Sequence, residues 1–135
     1  MDVLNKLLAP VGRSFLALIF IIAGFSKIPG YTGTQGYMEM MGVPGWLLPL
    51  VIAVELGGGI ALLIGWRARL SAFLLAGFAV LSGILFHLVP SFGMEGMEQQ
   101  AQMTSFLKNL AIAGGLGYVF LHGAGNWSLD RKSAV

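Results

Sequence analysis

The chain has 135 residues, of which 56% are hydrophobic and only 10% charged, and its mean hydropathy is +0.81. A soluble domain carries about 25% charged residues, so a surface facing water throughout is excluded and the class is integral membrane protein. The absence of cysteine rules out structural disulfides, thiol redox chemistry and iron–sulfur ligation by this chain, and the net charge of +2 reads as topology-setting charge, since no basic run interleaved with aromatics points to nucleic acid.

The first apolar segment, about residues 7–28, is interrupted by Arg13 and leaves Ser14–Ser26 unbroken. Lys6 and Arg13 resemble the basic front of a signal peptide, but Ile22-Ala23-Gly24 is a poor cleavage site, so a retained span is expected. Arg13, near one end, can snorkel to the interface. Pro29-Gly30 and Gly33 then break the helix, and Thr34 to Met41 forms a short helical turn with Thr34 as N-cap and Gly42 as its stop.

The second span, about residues 46–66, is bracketed by the indoles of Trp46 and Trp66. As a helix it reaches about 31 Å, the thickness of a hydrocarbon core. Near its middle stands Glu55, whose insertion costs roughly 2.5–3.5 kcal/mol, so it is expected to face the interior and to have a partner. The glycines Gly57–Gly59 lie within this span without a preceding strand, which makes them a close-packing or hinge point rather than a phosphate loop. Arg67 and Arg69 form a basic turn, and the third span, about residues 70–89, ends at His87 and Pro90. A polar stretch from Ser91 to Gln102 precedes the fourth span, about residues 103–122, with Lys108 and Asn109 in its first turns. Gly123–Val135 is a short tail. No linker, low-complexity segment or internal repeat divides the chain, so a single domain over residues 1–135 is expected.

Four spans put both termini on one side, together with Lys6, Arg13, Arg67, Arg69, Arg131 and Lys132. The other side has Lys27 and Lys108 beside Glu39, Glu95 and Glu98. The positive-inside rule then assigns both termini to the cytoplasm. The fold expected is all-α, a four-transmembrane-helix bundle in the lipid bilayer.

Helical spacing predicts the faces that meet. In the first span Arg13, Ala17, Phe20, Gly24 and Lys27 share a stripe whose two cations are about 21 Å apart along the axis. Small residues line a face of each later span: Ala53, Gly57 and Ala61; Ala72, Ala76, Ala79 and Gly83; Ala111/Gly115 with Ala113/Gly117. Such faces let backbones approach and indicate a compact bundle. The polar groups then gather toward the outside, with Lys27, His87, Lys108 and Asn109 above Glu55, itself about 14 Å below the outer end of its helix. Lys108 at a helix start opposes the helix dipole, which argues for a specific partner. The Glu55–Lys108 pair is therefore expected, with Lys27 and with Arg13, approaching from the inner side, as the other candidates.

In combination, the early Arg13, the run Ala23-Gly24-Phe25-Ser26-Lys27, the approach Gly42-Val43-Pro44, the run Glu55-Leu56-Gly57-Gly58-Gly59, His87 closing the third span and Phe106-Leu107-Lys108-Asn109 are familiar. From about Val11 to Gly117 the sequence resembles the DoxX family of small four-helix bacterial inner-membrane proteins. The resemblance implies a membrane component of an oxidoreductase system, with Arg13, Lys27, Glu55, His87, Lys108 and Asn109 matching the family's polar pattern. It assigns no single catalytic residue, and no catalytic motif is visible in the chain.

Glu55 reads either as a proton-handling or ligand-binding carboxylate, including one that hydrogen-bonds a quinone headgroup, or as a structural ion pair between helices. His87 reads as a quinone or metal ligand or a proton relay, or as an interfacial residue capping a helix C-terminus. Met38, Met41, Met94 and Met97 with His87 have the softness that suits Cu(I), a minor reading beside their use as adaptable loop packing. Three functions follow in order: a quinone-binding subunit of a redox system, working with other membrane or redox subunits; a non-catalytic scaffold or assembly factor; and a small transporter, which at this length would need a homo-oligomer. No haem, flavin or iron–sulfur motif is present, so a redox cofactor would be exchangeable or carried by another chain.

Overall fold

The structure, a computed structural model, describes residues 2–133; the side chain of Lys132, counted above with the basic side, lies outside what is described. The described residues form α-helical structure without strands, and four helices are long and apolar enough to cross a membrane. They are α1 (Asp2–Ser26), α3 (Gly45–Ile64), α4 (Ala68–Ser91) and α5 (Gly96–His122). A short helix, α2 (Tyr31–Met40), links the first two, and α6 (Leu129–Ser133) follows the last. The bundle closes as a ring, α1 against α3, α3 against α4, α4 against α5 and α5 against α1.

Two of the crossing helices are not regular. The turn Ala53–Gly57 of α3 and the turn Ile84–Leu88 of α4 are π-helical. Such wide turns are rare and insert a residue into the helical register, turning the side chains before and after them onto faces that a 3.6-residue repeat would not predict. The face of α3 that packs is Glu55, Gly59 and Leu62, all buried. The expected stripe of Ala53, Gly57 and Ala61 is corrected: Ala53 and Gly57 are exposed and only Ala61 is buried.

In lipid there is no hydrophobic gain in bringing helices together, so association rests on close packing. Gly24 of α1 and Gly59 of α3 meet the opposing helix most closely. A Cβ on Gly24 would lie 2.9 Å from the backbone nitrogen of Leu56, and one on Gly59 would lie 2.9 Å from Cγ1 of Ile21. The α4–α5 pair uses Gly83 in the same way, against Asn109. The stripe expected on α1 is present, for Arg13, Ala17, Phe20 and Gly24 are all buried.

α5 starts at Gly96, earlier than expected, after an extended Glu95 and with φ of +64° at the glycine. Its polar first turns, Glu98 to Gln102, are good helix formers, and a helix of this length, about 40 Å, outreaches the hydrocarbon core. Thr34 is likewise not an N-cap. It lies inside α2, donating from Oγ1 to Gly30 O at 2.9 Å, and Gly30 holds the cap position.

The end of the bundle that carries both termini is sealed by hydrogen bonds to backbone carbonyls. Arg13, 3% exposed, donates to the carbonyl oxygens of Ala124 and Trp127, the latter at 2.8 Å, and more distantly to Leu63 and Asn126 at 3.4 Å. Arg69 donates to Leu121 O at 2.9 Å and Phe120 O at 3.2 Å, satisfying the last carbonyls of α5. Asp130 accepts from the backbone N–H groups of Arg67 at 2.7 Å and Ala68 at 2.8 Å, capping α4 from a distant part of the chain. The packed core, Ala17, Phe20, Leu62, Ala72, Leu75, Ala79 and Leu116, occupies the half of the bundle nearer this sealed end. The other half holds a cavity.

Candidate functional site

The cavity has a volume of about 520 Å³ and lies between α1, α3, α4 and α5, with α2 over it. Its walls are mainly apolar, from residues such as Phe20, Leu50, Val54, Phe78 and Ile112. Tyr37 of α2 stacks on Phe86 of α4 with ring centroids 5.7 Å apart, so the short helix is fastened across the cavity by an aromatic contact. Into this apolar space project Lys27, Glu55, His87, Lys108 and Asn109. Five of the six polar positions singled out in the sequence thus line one cavity. Arg13 does not; it is spent on the carbonyls at the opposite end.

Glu55 sits in the π turn of α3 and is paired with Lys27, whose Nζ donates to Oε2 at 2.8 Å and to Oε1 at 3.1 Å. The expectation that Lys108 is its partner is corrected. With a fourth span from about residue 103, Lys108 falls in its first turns, where the dipole disfavours a cation. With α5 beginning at Gly96, Lys108 lies about three turns further in, and that conflict does not arise. Lys27 wins because Gly24, one turn before it, brings α1 into backbone contact with Glu55 and Leu56. Only 6% of the Glu55 side chain is exposed against 24% for Lys27, so the carboxylate is the enclosed member and the ammonium still reaches the cavity.

His87 lies in the π turn of α4. Its Nδ1 is 2.7 Å from Oε1 of Gln102 on α5. With that oxygen accepting, Nδ1 carries the hydrogen and Nε2 remains free to accept or donate. Asn109 donates from Nδ2 to Ala79 O at 3.0 Å and to Ser82 Oγ at 3.4 Å, tying α5 to α4. Lys108 has no hydrogen-bond or ion-pair partner among the described residues, and it lines the cavity. The arrangement therefore offers a satisfied acid–base pair, a histidine with one ring nitrogen fixed and one free, and an unpaired ammonium. Such a set can hold an electronegative oxygen and exchange a proton with it.

Of the methionines considered as soft ligands, Met38 lines the cavity with His87 and is buried. Met97 is 86% exposed, and Met41 and Met94 are not part of the cavity wall. Two residues of the site escaped the sequence reading: Tyr37, which lines the cavity, and Gln102, which stands behind His87. Gln102 falls within reach once the fourth helix is extended back through the polar stretch, and its helix-compatible composition was the available signal.

Comparison with known proteins places these features in a wider set. The sequence model of a family described as DoxX matches residues 8–88. The inner membrane protein YqjF of Escherichia coli (strain K12) is 46% identical over 90% of this chain and 88% of its own. The inner membrane protein YphA of the same organism is 34% identical over 90% of this chain and 87% of its own. A Bacillus subtilis (strain 168) protein named "Putative oxidoreductase CatD" is 31% identical over 47% of this chain and 48% of its own. No solved structure matches the chain.

Proposed function

The chain belongs to the DoxX family and is a multi-pass bacterial inner-membrane protein, and from that premise we propose that it is a membrane component of a redox system that binds a quinone headgroup in the cavity between α1, α3, α4 and α5. One observation carries the reading: the π turns of α3 and α4 bring Glu55 and His87 to a largely apolar cavity where Lys108 is unpaired. Wide helical turns of this kind recur at functional sites. The volume falls within the usual range for small-molecule sites, about 300–1,000 Å³, and an apolar wall with a few convergent polar groups is the usual composition of such sites.

The residues present fit the group. The Lys108 ammonium would donate to a headgroup oxygen, His87 Nε2 would hold or release a proton beside it, and the aromatic and aliphatic walls would flank the ring. A bound quinone supplies two-electron, two-proton redox chemistry, and the electron donor belongs to another chain or an exchangeable carrier. In this reading Gln102 is a positioning residue, since it fixes the tautomer of His87 through Nδ1. We further propose that both termini face the cytoplasm, which sets the cavity toward the opposite face of the membrane; the clustering of Lys6, Arg13, Arg67, Arg69 and Arg131 at the sealed end supports this orientation.

Native mass spectrometry of the protein released in mild detergent should find one quinone per chain, with Lys108→Met lowering occupancy about tenfold, as loss of one charge-assisted hydrogen bond predicts. Absence of a co-purified quinone together with no binding of added quinone would overturn the reading. A scaffold role is favoured by one feature of α5, whose membrane window buries little more than Leu116. In that case Glu55→Gln lowers stability while leaving partner recovery intact, and no quinone is bound.

A further inference from the structure

A second concave site lies at the sealed end of the bundle, remote from the cavity described above. It is a groove of about 950 Å³ between the start of α1, the last turn of α3 and the tail, lined by Val3, Leu7, Ile64, Trp127 and Leu129 with Lys6 and Arg131 at its margin. Val3 and Trp127 are 71% and 76% exposed, so apolar surface stands open beside two cations. Neither Lys6 nor Arg131 has an ion-pair partner within 4 Å among the described residues. The carboxylate nearest in sequence to Arg131, that of Asp130, is occupied by the backbone N–H groups of Arg67 and Ala68. Asp2, one turn before Lys6 on α1, forms no ion pair with it either.

The backbone at the groove is held in a costly conformation. Trp127 has φ of +52°, a region that bulky residues avoid. Its carbonyl is fixed by Arg13 at 2.8 Å, and the same conformation leaves the indole exposed in the groove wall. An exposed indole beside cations at the end of membrane-spanning helices is the composition of a membrane–water interface.

We infer that this groove binds an acidic phospholipid, with the phosphate between Lys6 and Arg131 and the acyl chains along Val3, Leu7, Ile64 and Leu129. The apolar floor accounts for the chains and the unpaired cations for the headgroup. A basic pocket beside helix ends at the membrane surface is a physical match for an anionic lipid. The inference does not depend on what the cavity at the other end binds.

The test titrates the intact protein in mild detergent with phosphatidylglycerol, phosphatidylcholine or inorganic phosphate, counting bound molecules by native mass spectrometry. One phosphatidylglycerol per chain is expected at concentrations where phosphatidylcholine is not retained. Lys6→Gln and Arg131→Gln should each weaken it about five-fold, the equivalent of about 1 kcal/mol per basic residue at a membrane surface. Neither side chain makes a hydrogen bond among the described residues, so neither change threatens the fold. Arg67→Gln removes the same charge at the same end but lies outside the groove, stacked on Trp66, and should leave the affinity unchanged. Equal retention of phosphatidylcholine, equal weakening by Arg67→Gln, or displacement by inorganic phosphate at matched concentration would each overturn the inference.

Discussion

At the scale of single residues, the Lys27–Glu55 pair sets two unequal demands on its members. Glu55 is enclosed and has Lys27 as its hydrogen-bonding partner, whereas Lys27 is partly open to the cavity. Lys27→Met therefore leaves a buried carboxylate without compensation and should destabilise the protein by about 3 kcal/mol. Glu55→Gln leaves an ammonium that can reorient toward water and should cost only about 1 kcal/mol. The double variant Lys27→Met/Glu55→Gln removes both charges and should recover most of the loss. Thermal unfolding in detergent, read as a double-mutant cycle, measures all three. Equal effects of the two single changes would refute the assignment of Glu55 as the enclosed member. The sequence showed that Glu55 needs a cation, because a lone carboxylate in a span is costly. It did not show which one, because the choice between Lys27 and Lys108 turned on where a polar stretch becomes helical.

The elements were legible where hydropathy runs long. All four spans were evident as apolar stretches, and their small-residue content announced close packing. The π turns were not legible, because a residue inserted into the helical register leaves no compositional mark and is stabilised by what packs around it. The packing face of α3 also differs from the one expected: Ala53 and Gly57 are exposed and Gly59 makes the contact. That distinction has a measurable form. Gly24→Ala places a methyl against the backbone of Leu56, which cannot yield without moving a helix, and should cost about 1–3 kcal/mol. Gly114→Ala, on α5 with no atom within 4 Å of the new methyl, should be neutral or stabilising by up to about 1 kcal/mol through helix propensity. Unfolding midpoints of the two variants in the same detergent check the contrast.

For the whole molecule, the division into a packed half and a hollow half follows from how polar groups are handled at each end. Toward the termini, Arg13, Arg69 and Asp130 spend their hydrogen bonds on backbone groups, and the core is tight. Toward the other end Lys27 pairs with Glu55 and His87 with Gln102, Lys108 is unpaired among the described residues, and a cavity lies among the helices. The lack of any native cysteine makes the orientation directly testable by single-cysteine labelling. A membrane-impermeant thiol reagent applied to spheroplasts should modify Gln100→Cys, and should modify Asn5→Cys only after lysis. The reverse pattern would invert the topology proposed from charge.

The bond network around Arg13 also bears on how the protein is made. Arg13 leaves the ribosome more than 110 residues before most of its acceptors, the carbonyls of Ala124, Asn126 and Trp127. Until then the guanidinium has Leu63 O as its remaining partner and must stay hydrated at the membrane surface. A nascent chain halted after His122 would carry all four spans and still be unfinished, with an unsatisfied cation marking it as incomplete. The four spans can thus all leave the ribosome before the acceptors of Arg13 in the tail are available to it.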